Sequence, residues 1–382
     1  MSEYQYYEFQ TLDRPLTPSQ MSELRSYSTR ARITPTSFVN EYNWGNFKGN
    51  RHEWIEKYFD AFLYVANWGS HWLEFRIPKR LLDPEAVWNY CAVESLSCRV
   101  KEESVILSFA SEETGGDWEE GEGWLASMTP LRSDLMQGDH RCLYLGWLAA
   151  LQTGEIDDDD LEPPVPPGLR TLSAPLRSLA DFLRIDPDLI TVAAANSAPE
   201  QCSILTRAKI AAWITAMPST EKDAVIAAVL DSEAIHFVAE FRQRAFREIR
   251  GGGESLDHGT RRSAGQLRAH AAAISEERRV KEARLQARAK AKRDREEAQR
   301  RQKYLKSLAG KEEDLWARID ALIATKQPRR YDDALTVLHD LHELAGMTGQ
   351  VGAFSARMQA LCHTHAKKPA LLDRFQKAKL IG

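Results

Sequence analysis

The sequence predicts a multidomain protein: an α+β N-terminal domain, followed by all-α domains and one long basic helix. Three observations carry that prediction. Residues 1–152 alternate apolar and polar side chains in strand-length runs and hold eight of the ten tryptophans. Residues 170–250 instead repeat apolar side chains at three- and four-residue steps. Between Gln266 and Leu308, fourteen Lys/Arg stand against six Asp/Glu, with no apolar face wide enough for a globular core. A chain of 382 residues also exceeds one ordinary core.

The first domain, 1–152, is acidic and aromatic-rich. Tyr4–Leu12 is rich in β-formers and reads as a strand. Thr17-Pro18-Ser19-Gln20 opens a helix as a capping box, with Thr as N-cap and Pro in the first turn. Ile33–Trp44 and Ala61–Trp68 read as strands, with a short helix over His52–Tyr58 between them. Ser70–Pro78 alternates, setting Trp72, Glu74 and Arg76 on one face and Leu73, Phe75 and Ile77 on the other. Gly69 suits the tight hairpin joining it to the preceding strand. Val93–Val100 and Ser104–Ala110 form a second hairpin, and His140–Gln152 an apolar helix.

Residues 153–169, an acidic run and then Pro163-Pro164-Val165-Pro166-Pro167-Gly168, are expected to be a linker. Five helices follow over 170–250. Ser173 caps the first, Asp186-Pro187 opens the second, Ile204–Ile214 marks the third, Ser219 caps the fourth, and Glu233–Ile249 is the fifth. Gly251-Gly252-Gly253 starts a linker over 251–265, which leads to the basic helix at 266–309. Gly310 ends that helix, and four short amphipathic helices fill 310–382.

In this last region Tyr331, Ala334, Leu335, Leu338 and Leu341, then Phe354, Met358 and Leu361, keep helical-hairpin spacing. The stretch Tyr331–Leu380 resembles tetratricopeptide-like helical hairpins, and is similar to the C-terminal helices of some bacterial SWIM zinc-finger proteins. The Cys-x-Cys and Cys-x-His of the SWIM signature are absent. The resemblance implies a binding role.

The charge is unevenly placed. Residues 1–162 hold 28 Asp/Glu and 14 Lys/Arg, a net of −14, so the remainder carries +10 of the overall −4. Opposite poles predict attraction between the halves or recruitment of different partners. The opening residues MSEYQYYEFQ lack a signal-peptide core, and no apolar run approaches the ~20 residues that span a bilayer. Five cysteines are sparse for this length, which predicts reduced thiols and a cytoplasmic location.

The basic helix is the leading candidate site, through Arg284, Arg288, Lys290, Lys292, Arg293, Arg295, Arg300 and Arg301. It admits three readings: a solvated spacer, a phosphate-binding element, or a dock for an acidic protein surface. A seam of Val280, Ala283, Ala287, Ala291, Ala298 and Leu305, broken by Asp294, allows only weak helix pairing. Glu277–Lys281, Glu296–Arg300 and Glu297–Arg301 are expected to pair at about 0.2–0.5 kcal/mol each. Tyr304 is the lone aromatic, so nucleic-acid binding here would engage phosphates rather than stacked bases.

His339, His342, Cys362 and His365 are zinc-type ligands in i,i+3 pairs. With a turn at Gly346–Gly352, the residue facing His342 falls near position 357, roughly 7–8 Å of helix from Cys362. Packing is therefore the expected role, and no metal or cofactor is predicted. The loop Glu112–Trp124 reads as solvated and anchored by Trp118 or Trp124, since its carboxylates miss the EF-hand spacing. Phosphate-loop, nucleophile-elbow and zincin motifs are absent. The place for a pocket is the aromatic block Arg30–Arg51, with Glu41, Asn43, Trp44 and Lys48 as its polar candidates. The sequence thus predicts an interaction or adaptor protein with another protein as partner. Sequence-tolerant nucleic-acid binding and an enzyme site in the aromatic head are the alternatives.

Overall fold

Alternating apolar runs in the first 112 residues build one seven-stranded antiparallel sheet. The computed structural model describes residues 4–112, 119–199, 207–230, 237–249, 261–378 and 380. The strands are β1 (Gln5–Gln10), β2 (Arg32–Thr34), β3 (Ser37–Tyr42), β4 (Ala61–Ala66), β5 (Ser70–Pro78), β6 (Leu96–Val100) and β7 (Ser104–Glu112), in spatial order β2-β3-β1-β4-β5-β7-β6. The described helices of the head are α1 (Pro18–Tyr27), α2 (Arg51–Lys57), α3 (Pro84–Trp88), α4 (Trp124–Met128), α5 (Pro130–Met136) and α6 (Arg141–Thr153). Then come α7 (Ala174–Phe182), α8 (Pro187–Ala195), α9 (Arg207–Ala216), α10 (Ser219–Leu230) and α11 (Phe237–Ile249). The chain ends with α12 (Ala264–Leu308), α13 (Glu312–Ala324), α14 (Pro328–Thr348), α15 (Val351–Thr364) and α16 (Pro369–Lys377). An N-terminal sheet with helices precedes a mostly helical remainder, as the sequence predicts. The chain divides into two units, 1–277 and 278–382.

In the first unit both sheet faces are covered. Leu73, Phe75 and Ile77 of β5 join Leu63, Val65, Leu107 and Phe109 in a core closed by α4, α5, α6 and α7. Helix α6 lies close to the sheet, where a side chain at Gly146 would meet Leu96 Cδ2 at 2.9 Å. The other face is aromatic: Phe9, Phe38, Trp54, Phe59 and Phe62 pack under α1 and α2. The capping box of α1 forms as expected, with Gln20 N–H donating to Thr17 Oγ1 and Thr17 N–H to Gln20 Oε1.

Several boundaries differ from expectation, each for a local reason. Ile33–Trp44 is two strands, because Pro35 lacks a ladder donor and Thr34 and Ser37 face each other across a Pro35-Thr36 turn. Helices α3, α4 and α5 are too short for periodicity to reveal. Residues 153–169 pack instead of spacing domains apart: Glu162 and Leu169 are buried, and Tyr90 donates its hydroxyl to the Pro164 carbonyl at 2.8 Å. Leu176, Leu179 and Phe182 of α7 enter the same core as the sheet. The basic helix begins at Ala264, capped by Ser263 and Gln266 in reciprocal hydrogen bonds of 3.3 and 3.0 Å. Its first turns are buried through Ala264, Leu267 and Ala271. Trp118, Cys202, the expected helix start at Ile204, the start of the fifth helix at Glu233, and Gly251-Gly252-Gly253 lie outside the described residues.

The second unit packs α14 against α13, α15 and α16. Its core is Trp316, Ile319, Ile323, Leu338, Leu341, Phe354, Met358, Leu371 and Phe375. Gly349, at φ +71°, ends α14 in the left-handed conformation that a side chain would strain.

Candidate interaction site

Helix α12 holds the leading candidate residues. Every residue from Glu276 through Arg300 is exposed, which follows from a stretch with charge on all sides. Lys281, Arg284, Arg288, Lys292 and Arg295 succeed one another at three- and four-residue steps and so share one face. Gln299 takes the next position, and Lys303 and Lys306 resume the row. Glu276, Asp294 and Glu297 fall on the opposite face. Lys290, Arg293 and Arg300 lie off the row, yet are equally exposed. Lys292 reaches Glu296 at 4.0 Å, while Arg284, Arg288, Lys290, Arg293, Arg295 and Arg300 make no ion pair among the described residues.

Arg301 is different. It does not turn back to Glu297; its guanidinium meets Asp340 at 2.6 Å and Glu343 at 2.9 Å on α14. Tyr304 donates its hydroxyl to Asp340 at 2.9 Å, and Leu305 is buried. The hydrogen bond to Glu343, then that to Asp340, raises the Arg301 pKa above its usual value. Arg301 therefore holds the C-terminal end of α12 within the second unit, and past it only Lys303 and Lys306 continue the row of exposed cations.

The aromatic block of the head does not gather its polar candidates. Glu41, on β3, is exposed and reaches Arg32 at 3.7 Å. Trp44 is 66% exposed, with the Arg30 guanidinium 4.4 Å from its ring centroid. Asn43 and Lys48 are exposed as well. Phe47 instead packs inward, stacked on Tyr7 at 4.9 Å.

On α14 and α15, His342 packs on Phe354 at 5.1 Å and Cys362 lies against the helical core. Burial raises the Cys362 thiol and lowers the His365 imidazole. His339 is exposed on α14. Among the described residues, no three His, Cys, Asp or Glu side chains are grouped around one ion position.

Sequence reasoning missed three polar clusters in the head, whose members are far apart in the chain. A cleft of about 850 Å³ is lined by Arg14, Lys57, Asp60, Arg76, Lys101 and Arg132 among others. Asp60 accepts from the Leu12 and Asp13 N–H groups at 2.7 and 2.9 Å and from Arg76 at 2.5 Å. Arg132, nearly fully buried, grips both Asp13 oxygens at 2.8 and 2.6 Å and donates to the Arg76 carbonyl at 2.7 Å. These charges are committed to one another, which suits a structural tie better than a reactive centre.

Further along the sheet, buried Glu74 accepts from Ser108 at 2.8 Å and lies 3.4 Å from Arg99, with Arg51 and His52 at 3.9 Å. Arg51 stacks on Trp72, 3.9 Å from its centroid. On the opposite face, His71 is 1% exposed. Its Nδ1 lies 2.9 Å from the Phe182 carbonyl, and its Nε2 faces both Arg184 at 2.9 Å and Glu119 at 3.1 Å. A neutral Nε2 accepts from Arg184; a protonated one donates to Glu119. Burial, the largest influence, holds His71 on the neutral side.

No known protein family, curated protein or solved structure matches this chain. The functional reading therefore rests on the molecule itself. No helix among the described residues is long and apolar enough to cross a membrane.

Proposed function

We propose that the chain is an adaptor, a non-enzymatic interaction protein that joins a larger complex by laying the basic face of α12 on an acidic surface of a partner protein. One observation carries this reading: Arg284, Arg288, Lys292 and Arg295 line one exposed face in a stretch where no side chain is covered. Cations at three- and four-residue steps repel one another, and carboxylates from a partner relieve that repulsion. The helical tail at 310–382 supplies a second contact in this reading.

Charge favours protein over nucleic acid as the partner. Residues 1–162 carry 28 acids against 14 bases and repel a phosphate backbone, whose charge runs on past α12, more than a bounded acidic patch on a protein. Tyr304, the helix's lone aromatic, has its hydroxyl engaged by Asp340. The second reading, sequence-tolerant nucleic-acid binding, is favoured by the regular guanidinium spacing alone.

In-cell cross-linking from residues placed on α12 separates the two. The adaptor reading expects one cross-linked protein whose yield survives nuclease and falls about tenfold in an Arg284→Glu/Arg288→Glu/Arg295→Glu variant, roughly the weight of a few lost charge contacts. Nuclease-sensitive capture transfers the assignment to nucleic acid. An unchanged yield in the variant removes α12 as the docking element.

A further inference from the structure

The cleft that holds the Asp13–Arg132 tie crosses one end of the sheet. Strand β1 finishes there at Gln10, β4 starts at Ala61, β5 finishes at Pro78 and β7 starts at Ser104. These four strands are consecutive neighbours. The segment Asp13–Leu16, just after β1, lines the cleft at one side, and the turn Lys101–Ser104, between β6 and β7, lines it at the other. Three strand spacings of about 4.8 Å separate the two sides, roughly 14 Å in all.

Most charges along this path already have partners. Besides the Asp13–Arg132 and Asp60–Arg76 pairs, Lys101 meets Glu56 at 3.0 Å, Lys57 meets Glu23 at 2.9 Å, and Arg80 pairs with Glu240. Arg14 on the β1 side, and Glu102 and Glu103 on the turn side, are exposed and make no ion pair among the described residues. Two features reinforce the positive side. Thr17 and Gln20 bring the N-terminus of α1 to the wall of the cleft, and its first turn holds no acid to offset the helix dipole. Arg76, which also lines the cleft, has a buried Nε–H with no acceptor, a donor that the fold leaves unused. The cleft is thus positive beside β1, negative at the turn, and paired in between.

We propose that this cleft binds a short peptide with free termini, its C-terminal carboxylate on Arg14 and its N-terminal ammonium on Glu102 and Glu103. Charge and length together carry the assignment. A bare anion leaves the two glutamates without a counter-charge, and a bare cation leaves Arg14 without one; a dipolar ligand answers both. An extended chain advances about 3.3 Å per residue, so about four residues reach from one side to the other. The volume of about 850 Å³ falls within the range of small-ligand sites, about 300–1,000 Å³. No residue of α12 lines the cleft, so this site is independent of the docking helix.

Isothermal titration calorimetry of the full chain with tetra-alanine tests it. Saturable binding is expected, weakened about tenfold by amidating the peptide's C-terminus and by a similar factor on acetylating its N-terminus. Dialanine, about 7 Å long, reaches one side only and should also bind about tenfold more weakly. In Arg14→Ala the free and amidated tetrapeptides should bind alike, and in Glu102→Gln/Glu103→Gln the free and acetylated ones should. The end-modified peptides decide the matter on the wild-type chain, even if a variant fails to fold. No saturation by about 20 mM tetra-alanine overturns the proposal. So does an acetylated peptide that binds as tightly as the free one, which would make the cleft a plain anion site, or an amidated peptide that does, which would leave Arg14 without a role.

Discussion

His71 shows how one buried imidazole sets a pH dependence. Burial also lowers the pKa values of His52 and His140, so three histidines of the head resist protonation when folded. The unfolded chain accepts those protons near the usual value of about 6.5. Above that pH neither state is protonated and the full stability is present. As pH falls below it, the unfolded state binds protons that the folded state refuses, and stability declines toward the depressed folded values. The expected result is a melting temperature of the head that drops between roughly pH 7 and 5, with a shallower slope in His71→Gln. Thermal melts across that range check it, and parallel slopes for the two proteins would refute the role given to His71. The sequence offered no sign of this residue's setting, because Phe182, Arg184 and Glu119 come together around it only through the fold. The same holds for Asp13 and Arg132, joined across the cleft. The exposed cations of α12 were legible, since charge on all sides of a helix leaves nothing to bury.

At the scale of elements, periodicity and capping decided what the sequence revealed. The long strand β5 alternates from Trp72 to Ile77, which makes both its faces legible in the sequence. Strand β2 and helices α3, α4 and α5 are shorter than the window in which a period can repeat. The start of α12 was missed although its signal was present: Ser263 and Gln266 stand three apart as a capping box, and both hydrogen bonds form. Replacing Ser263 by Ala removes an acceptor from the helix N-terminus and is expected to cost about 1 kcal/mol. Urea unfolding of the full chain measures it. No change in midpoint would mean that burial of Leu267 and Ala271, rather than the cap, fixes the first turn.

Across the whole molecule there are separate cores, one set within 4–271 and one within 316–375, with no residue in common. Leu338 is fully buried in the latter, and truncating it to Ala is expected to cost about 2–5 kcal/mol. Calorimetry should show one transition moving while the transition of the sheet stays in place. A single transition shifting as a whole would show that the two units unfold together. Composition marked residues 153–169 as a spacer because Pro and Asp discourage regular structure, yet they do not forbid packing. Glu162 enters the interior on the Arg262 guanidinium, held at 2.6 Å, a partner a hundred residues away.

The place of β1 between β3 and β4 bears on how the protein is made. This strand leaves the ribosome before either neighbour exists, with Tyr6, Tyr7 and Phe9 uncovered, one edge open until Tyr42 emerges and the other until Ala66 does. During that interval the nascent chain offers a sticky ribbon to any passing polypeptide. Chaperone demand in synthesis should therefore concentrate there, rather than on the charged rod that follows.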